Sequence, residues 1–427
     1  MNHYKATQVF VPGGMPKHTY IQRAERELEE SLRTVDDNLC KLVTLTGATK
    51  SGKTVLVNRI YSRGTGDNIW IDGGTVSSEN DLWTAVLDEI GGYSDKEMEE
   101  SGESEQMLGG EAEAEGSIPL IAKAKGKVGT AITQRTSSTG RRSLSVSPRI
   151  AAITQLRQTG KPLIIDDFHY LERKLQASVI RALKPLVFDG HAVIIIAIPH
   201  RRYDAVKVER EMTGRLEGIP VPVWSIDELK EIPEKGFPLL NVEISDQLSE
   251  RLAKEAYGSP HLMQEFCKAL CAQNSVKATM SQRLKITTVN DSLFREIAES
   301  TGKVVFEKLA KGPRQRSDRM PRPLTAGGTA DIYRVVLLGL ARLAPGMEKV
   351  DYEALRAAIR EILATNVPQA HEVSRVLDKM TEIAADDEAA TPVIDWVKED
   401  QELHVTDPFF AFFLKWGSPM DVAAGVQ

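Results

Sequence analysis

The chain has 427 residues, 41% of them hydrophobic and 27% charged, with a formal net charge of −6. This is ordinary globular usage, so collagen-like and wholly disordered classes are excluded, and the length accommodates two or three domains of roughly 100–200 residues each. The longest apolar run, the seven residues Ala192 to Ile198, is far short of the roughly 20 that a membrane-spanning helix needs. MNHYKATQVF carries no apolar leader, and Cys40, Cys267 and Cys271 make no disulfide framework. The expectation is a soluble, cytoplasmic protein with no membrane partner.

Pro12, Gly13, Gly14 and Pro16 break regular structure near the N-terminus, and a charged helix is expected from about Thr19. Residues 41–46 (KLVTLT) read as a strand, followed by a Gly-rich loop and a helical run from Thr54 to Tyr61. DNIWIDGG (67–74) is a second short strand. The next helix has Ser77 or Ser78 as N-cap and Gly91 as its stop. Asp95 to Glu115 then holds nine acids and one Lys, and Ala122 to Arg149 holds seven bases and no acid. Residues 93–146 therefore read as a charge-segregated insertion.

Ser147-Pro148 opens a helix that Gly160 ends. KPLIIDD (161–167) is a buried strand with a polar end, 172–189 a helix, and AVIIIAIP (192–199) a fully apolar strand. IPVPVW (219–224) is expected at a sheet edge because of its prolines. Strands alternating with helices predict a parallel sheet covered on both faces, an α/β class. From Ser225 to about Thr301 the pattern is helical. Residues 311–328 form a Pro/Gly/Arg linker with Lys311, Arg314, Arg316, Arg319 and Arg322 set against Asp318. Helices near 329–343, 350–364 and 369–384, two strands (PVIDWV, ELHVTD) and an aromatic helix outline a winged helix. The expected units are an N-terminal segment (1–40), a core (41–224), a helical lid (225–310), the linker and the winged-helix domain (329–427).

The strongest chemical signal is Gly47-Ala48-Thr49-Lys50-Ser51-Gly52-Lys53-Thr54, a G-x-x-x-x-G-K-[ST] loop between a strand and a helix. Its glycines let backbone N–H groups wrap phosphates at a positive helix N-terminus. Val55 continues the first turn. Lys53 is placed to contact the β- and γ-phosphates, and the Thr54 hydroxyl is a ligand for Mg2+. Leu163-Ile164-Ile165-Asp166-Asp167 puts two acids at the end of a buried strand, facing the crevice where α/β sheets bind ligands. Asp166 is expected to hold Mg2+ through water, and Asp167 to orient or activate the attacking water. The structural alternative is a turn pair of aspartates.

With these motifs, and a further strand between them, the chain resembles AAA+ ATPases, more narrowly their STAND-type and archaeal-ATPase-like relatives. Four stretches carry the resemblance over roughly residues 10–300. Tyr20-Ile21-Gln22-Arg23-x-Glu25 resembles the segment that borders adenine, with Gln22 in place of a Gly and the Glu one position early. IIIAIPHR is similar to the sensor-1 strand and its exit, where His200 and Arg201 are both open as the polar group. Gly214-Arg215-Leu216 resembles the box that carries an arginine finger. Arg215 would then act on a neighbouring subunit's nucleotide, with Arg210 as second candidate and pairing to Glu209 or Glu211 as the structural alternative. Tyr257-Gly258-Ser259-Pro260-His261 is similar to the G-x-P element of the lid, so Gly258 and Pro260 would border the nucleotide, and Pro260 also opens a helix.

The resemblance implies a three-layer P-loop NTPase core, a helical lid and a C-terminal winged helix. It implies ATP and Mg2+ as cofactors, ATP hydrolysis, and assembly of like subunits through the ATP sites. The output expected is a molecular switch coupling nucleotide state to oligomerisation and to a separate effector, in bacterial defence or signalling. The alternative is a DNA-binding AAA+ regulator of replication initiation or transposition, and a third is a nucleotide-binding scaffold with negligible turnover. DNA is a candidate partner through the basic linker. The third helix of the C-terminal unit mixes Arg375 and Lys379 with Glu372, Asp378 and Glu382, which favours protein docking over groove reading. The run Phe409, Phe410, Phe412, Phe413 and Trp416 is expected in the core.

Overall fold

The computed structural model describes residues 3–35, 37, 40–91, 147–198, 214–313, 320–385 and 392–419. The insertion 93–146, both sensor-1 candidates, Arg210, the Glu209 and Glu211 considered as partners for Arg215, and Arg314, Arg316 and Arg319 lie outside the described residues.

Five strands form one parallel sheet: β1 (Leu42–Gly47), β2 (Ile69–Asp72), β3 (Leu163–Asp166), β4 (Val193–Ala197) and β5 (Leu216–Val221), in the order β2-β3-β4-β1-β5. The acidic strand β3 is thus separated from β1 by β4. The alternation along each strand explains why helices cover both faces. Leu42, Ile69, Leu163, Ile165, Val193 and Ile195 face a cluster with Leu82, Trp83, Leu156 and Leu183. Those four come from helices Glu79–Ile90, Pro148–Thr159 and Arg173–Phe188. Val43, Leu45, Ile164, Ile194 and Ile196 face the opposite way, onto Leu28, Leu32, Leu56 and Val57. Ser78 is the N-cap of the helix that Gly91 ends. β5 is an edge strand and carries Pro220, where a missing N–H costs the sheet least.

After β5 the chain is mainly helical, but two short segments, Val242–Ile244 and Leu284–Ile286, pair as a parallel two-stranded sheet that the sequence pattern does not announce. At three residues each they are too short to show a period of two. Three helices follow, Ile332–Leu343, Tyr352–Ile362 and Ala370–Ala385. The expected two-stranded hairpin is a three-stranded antiparallel sheet, because Lys349–Asp351 pairs with Glu402–Val405, which also pairs with Ile394–Val397. The final helix Pro408–Trp416 buries Phe409, Phe410, Phe412 and Phe413. One continuous apolar cluster joins these C-terminal elements to the helices after β5 and to Ala6, Val9, Phe10 and Ile21 of the N-terminal segment. Among the described residues no helix is long and apolar enough to cross a membrane.

Candidate functional site

The Gly-rich loop leaves the carboxyl end of β1 and enters the helix Lys53–Ile60. Gly47 is forced by packing, since a Cβ there would come within 2.5 Å of the Val221 carbonyl oxygen. Gly52 is forced by its backbone, with φ at +91° just before the helix. The loop faces a cavity of about 520 Å³. Thr49 to Leu56 line one wall, Gly13 to Ile21 another, and Pro260, His261 and Gln264 a third.

Lys53 is almost buried, and its Nζ donates to the carbonyls of Gly47 (3.0 Å) and Ala48 (2.8 Å). Burial lowers its pKa to about 8, against the opposing pull of Asp167 and Asp166. The Ser51 hydroxyl is buried in the same loop with no hydrogen-bond partner. A polar atom of that kind is costly unless a ligand supplies the partner.

Across the crevice, the Thr54 hydroxyl donates to Asp166 Oδ1 at 3.2 Å. The backbone N–H of Asp167 donates to the same oxygen at 3.0 Å. Arg63 pairs with Asp166 Oδ2 at 2.9 Å. Burial raises the Asp166 carboxyl above its ordinary value. Asp167 sits in the left-handed region, φ +50° and ψ +38°, unusual for a residue with a side chain. Burial, then the negative charges of Asp166 and Asp72, push its carboxyl up to about 6. Asp72 ends β2, in register with Asp166, so three acids crowd the ends of two adjacent strands.

Pro260 lies against the loop from the lid side, and Gly258 reaches it only through Trp224. The Gly258 carbonyl accepts from Trp224 N (3.2 Å), and Trp224 Nε1 donates to the Ser51 carbonyl (2.9 Å). Ser259, between them, donates from Oγ to the Lys50 carbonyl (3.4 Å) and is the N-cap of the helix that Pro260 starts. Burial, then the charge of Lys50, lowers the His261 pKa.

Arg215 is not brought to this site. Its carbonyl accepts from Leu42 N at the amino end of β1, and its guanidinium stacks 5.3 Å from the ring centre of Phe188. The loop leaves the other end of β1, about 17 Å away at the strand rise per residue.

Several contacts at the site are announced by no motif. Lys50 pairs with Asp407 at 2.7 Å and lies 4.0 Å from the ring centre of Phe409, so the C-terminal helix touches the phosphate loop. Gln264 is buried and ties down the N-terminal segment. Its amide donates to Thr19 (2.7 Å), and its oxygen accepts from Val11 N (3.1 Å). Arg23 stacks 5.0 Å from the Trp224 ring centre and pairs with Glu228 at 2.9 Å, bracing the tryptophan that holds Ser51. A motif scan finds none of these, because each depends on a partner remote in sequence.

A parallel β2-β3-β4-β1-β5 sheet, with a Gly-rich loop after β1 and paired acids after β3, has the fold of a P-loop NTPase core. The chain is similar to a Walker-type ATPase of Pyrococcus abyssi at 15% identity and a TM-score of 0.53, covering 95% of this chain and 98% of that one. It also matches Cdc6p of Pyrobaculum aerophilum at 12% identity and a TM-score of 0.41, over 96% and 97% of the two chains. A third match is the Aeropyrum pernix Orc1 protein, solved in complex with DNA, at 11% identity and a TM-score of 0.42, over 96% and 95%. No family model and no curated protein sequence matches the chain.

Proposed function

We propose that the chain binds and hydrolyses ATP, and that it acts as a switch whose nucleotide state governs its assembly and its contact with a partner. The observation that carries this is the unpartnered Ser51 hydroxyl, buried inside a Gly-rich loop whose lysine and helix start face the cavity. Backbone N–H groups of Gly47 to Thr54, with Val55 in the first turn, would take the phosphates. Lys53 would leave the Gly47 and Ala48 carbonyls to contact them. Thr54 and Asp166 offer a hydroxyl and a carboxylate, the hard oxygen donors that suit Mg2+. When bound, Mg2+ would offset charge on the phosphates. Asp167, with its raised pKa, is suited to orient the attacking water and accept its proton. Gly258 and Pro260 would make the lid a reporter of the bound nucleotide.

In this reading Arg215 serves a neighbouring copy, because it lies at the far end of the sheet from its own loop. Assembly of like subunits would then complete each site. The domain limits proposed are 1–40 as N-terminal segment, 41–224 as core with the 93–146 insertion, 225–310 as lid, 311–328 as linker, and 329–427 as a winged helix. The partner is proposed to be a separate effector chain. The Lys50–Asp407 ion pair supports a C-terminal unit that senses the loop.

The test is Lys53→Ala. Because this side chain caps carbonyls rather than filling the core, the variant should fold and lose nucleotide binding or turnover. ATP hydrolysis at the wild-type rate in the folded variant would refute the assignment.

A further inference from the structure

Asp166 has no oxygen to spare. Oδ1 accepts from Thr54 and from the Asp167 amide, and Oδ2 accepts from Arg63 at 2.9 Å. The carboxylate is 2% exposed, and a buried charge of this kind requires a compensating partner. The guanidinium is held from one other direction, and the Arg63 backbone is anchored as well. Its carbon lies 4.3 Å from the ring centre of Trp70, a nearly buried residue of β2, the strand paired with β3. The Arg63 backbone N–H donates to the Asn58 side chain at 2.8 Å. Yet the Arg63 side chain is 43% exposed, so it can leave Asp166 for solvent without unpacking the core.

We propose that Arg63 is a positioning residue that competes with the divalent cation for Asp166, and so sets how much Mg2+ the nucleotide site requires. The inference rests on the phosphate-loop reading and deepens it. With the guanidinium in place, an incoming cation meets a carboxylate already neutralised and a positive charge alongside. When the cation takes Asp166, the guanidinium slides off Oδ2 and off the Trp70 ring. Arg63 thus keeps the buried acid compensated while no cation is bound, and it raises the Mg2+ concentration needed for binding.

The experiment titrates Mg2+ into the full chain with a fluorescent ATP analogue, starting from EDTA, and reads anisotropy. Arg63→Gln removes the charge but leaves a planar amide near Trp70. It should reach half-maximal analogue binding at about fivefold lower free Mg2+ than wild type, the scale of a partly exposed ion pair. Arg63→Lys should stay within about twofold of wild type. A midpoint for Arg63→Gln equal to or above wild type overturns the proposal. If neither form binds the analogue at saturating Mg2+, the phosphate-loop reading fails and this one with it. A second measurement needs no Arg63 variant. Mg2+ added to the analogue-bound wild type should change tryptophan emission, and Trp70→Phe should remove that change. An unchanged wild-type spectrum also overturns the proposal.

Discussion

Suppose the medium is taken from about pH 7 to about pH 5 while kcat/KM for ATP is followed at saturating Mg2+. This ratio reports the ionisation of the free enzyme, so the values set by the unliganded site apply. With its carboxyl at about 6, Asp167 is ~90% ionised at about pH 7 and ~10% ionised at about pH 5. If it accepts the proton of the attacking water, kcat/KM should fall about tenfold over those two units. An aspartate at its ordinary value would lose only a few per cent. On the alkaline side Lys53, at about 8, loses its charge by about pH 9 and its hold on the phosphates with it. The profile should therefore be a bell with limbs near 6 and 8. The nucleotide's own phosphates can contribute to the acid limb, so Asp167→Asn is assayed beside wild type. Its residual activity should lack the Asp167 limb. A wild-type profile flat between about pH 5 and 7, or an equally steep acid limb in Asp167→Asn, would refute the role given to Asp167.

The same carboxyl makes a prediction about stability. Its folded value lies above the unfolded one, so the folded state binds more protons between about pH 4 and 6, and stability falls as pH rises through that window. Asp167→Asn should therefore raise unfolding stability at pH 7, by about 1–2 kcal/mol once its 41% exposure is allowed for, and Tm with it. The gain should vanish near pH 4, and one that persisted there would have another cause. Asp407 caps the last helix through the amides of Phe409 and Phe410 and pairs with Lys50. Asp407→Ala should cost about 2 kcal/mol in urea unfolding, and Asp407→Asn, which keeps the cap, less than about 1 kcal/mol. Equal losses would mean that the ion pair outweighs the cap. Finally, Arg215→Ala has an intact loop and Lys53→Ala an intact arginine. Mixing the two inactive variants should restore part of the ATPase activity, and wild-type specific activity should rise with protein concentration. If mixing restores nothing, the trans role of Arg215 is wrong.

What the sequence makes legible here is local. The strand–loop–helix around Lys53, the acids ending β3, the Ser78 cap and the Gly91 stop are written in neighbouring residues. So is the edge position of β5, through Pro220. The three-residue strands Val242–Ile244, Leu284–Ile286 and Lys349–Asp351 are not, because nothing periodic fits in three positions. The environment of the site was least visible. Arg63 reads as one more charged residue in a turn, and only the fold sets it against both Trp70 and Asp166. Arg23 belongs to a stretch resembling an adenine border, yet its side chain braces Trp224 and Glu228. Such partners are chosen by tertiary packing, which pattern alone does not encode.

The ion pair between Lys50 and Asp407 spans 357 positions of chain, which bears on how the protein is made. On the ribosome the loop emerges well before its partner. The N-terminal segment must likewise wait for Gln264, 253 residues beyond Val11. Val9 and Phe10, with no exposed surface once folding is complete, stay uncovered through that interval. The sheet can assemble as its strands appear, but the walls of its cavity close only once Gln264 and Asp407 have been made. The nascent chain is thus exposed to aggregation through that interval, and a chain stopped short of Asp407 retains the Gly-rich loop without the Lys50 ion pair.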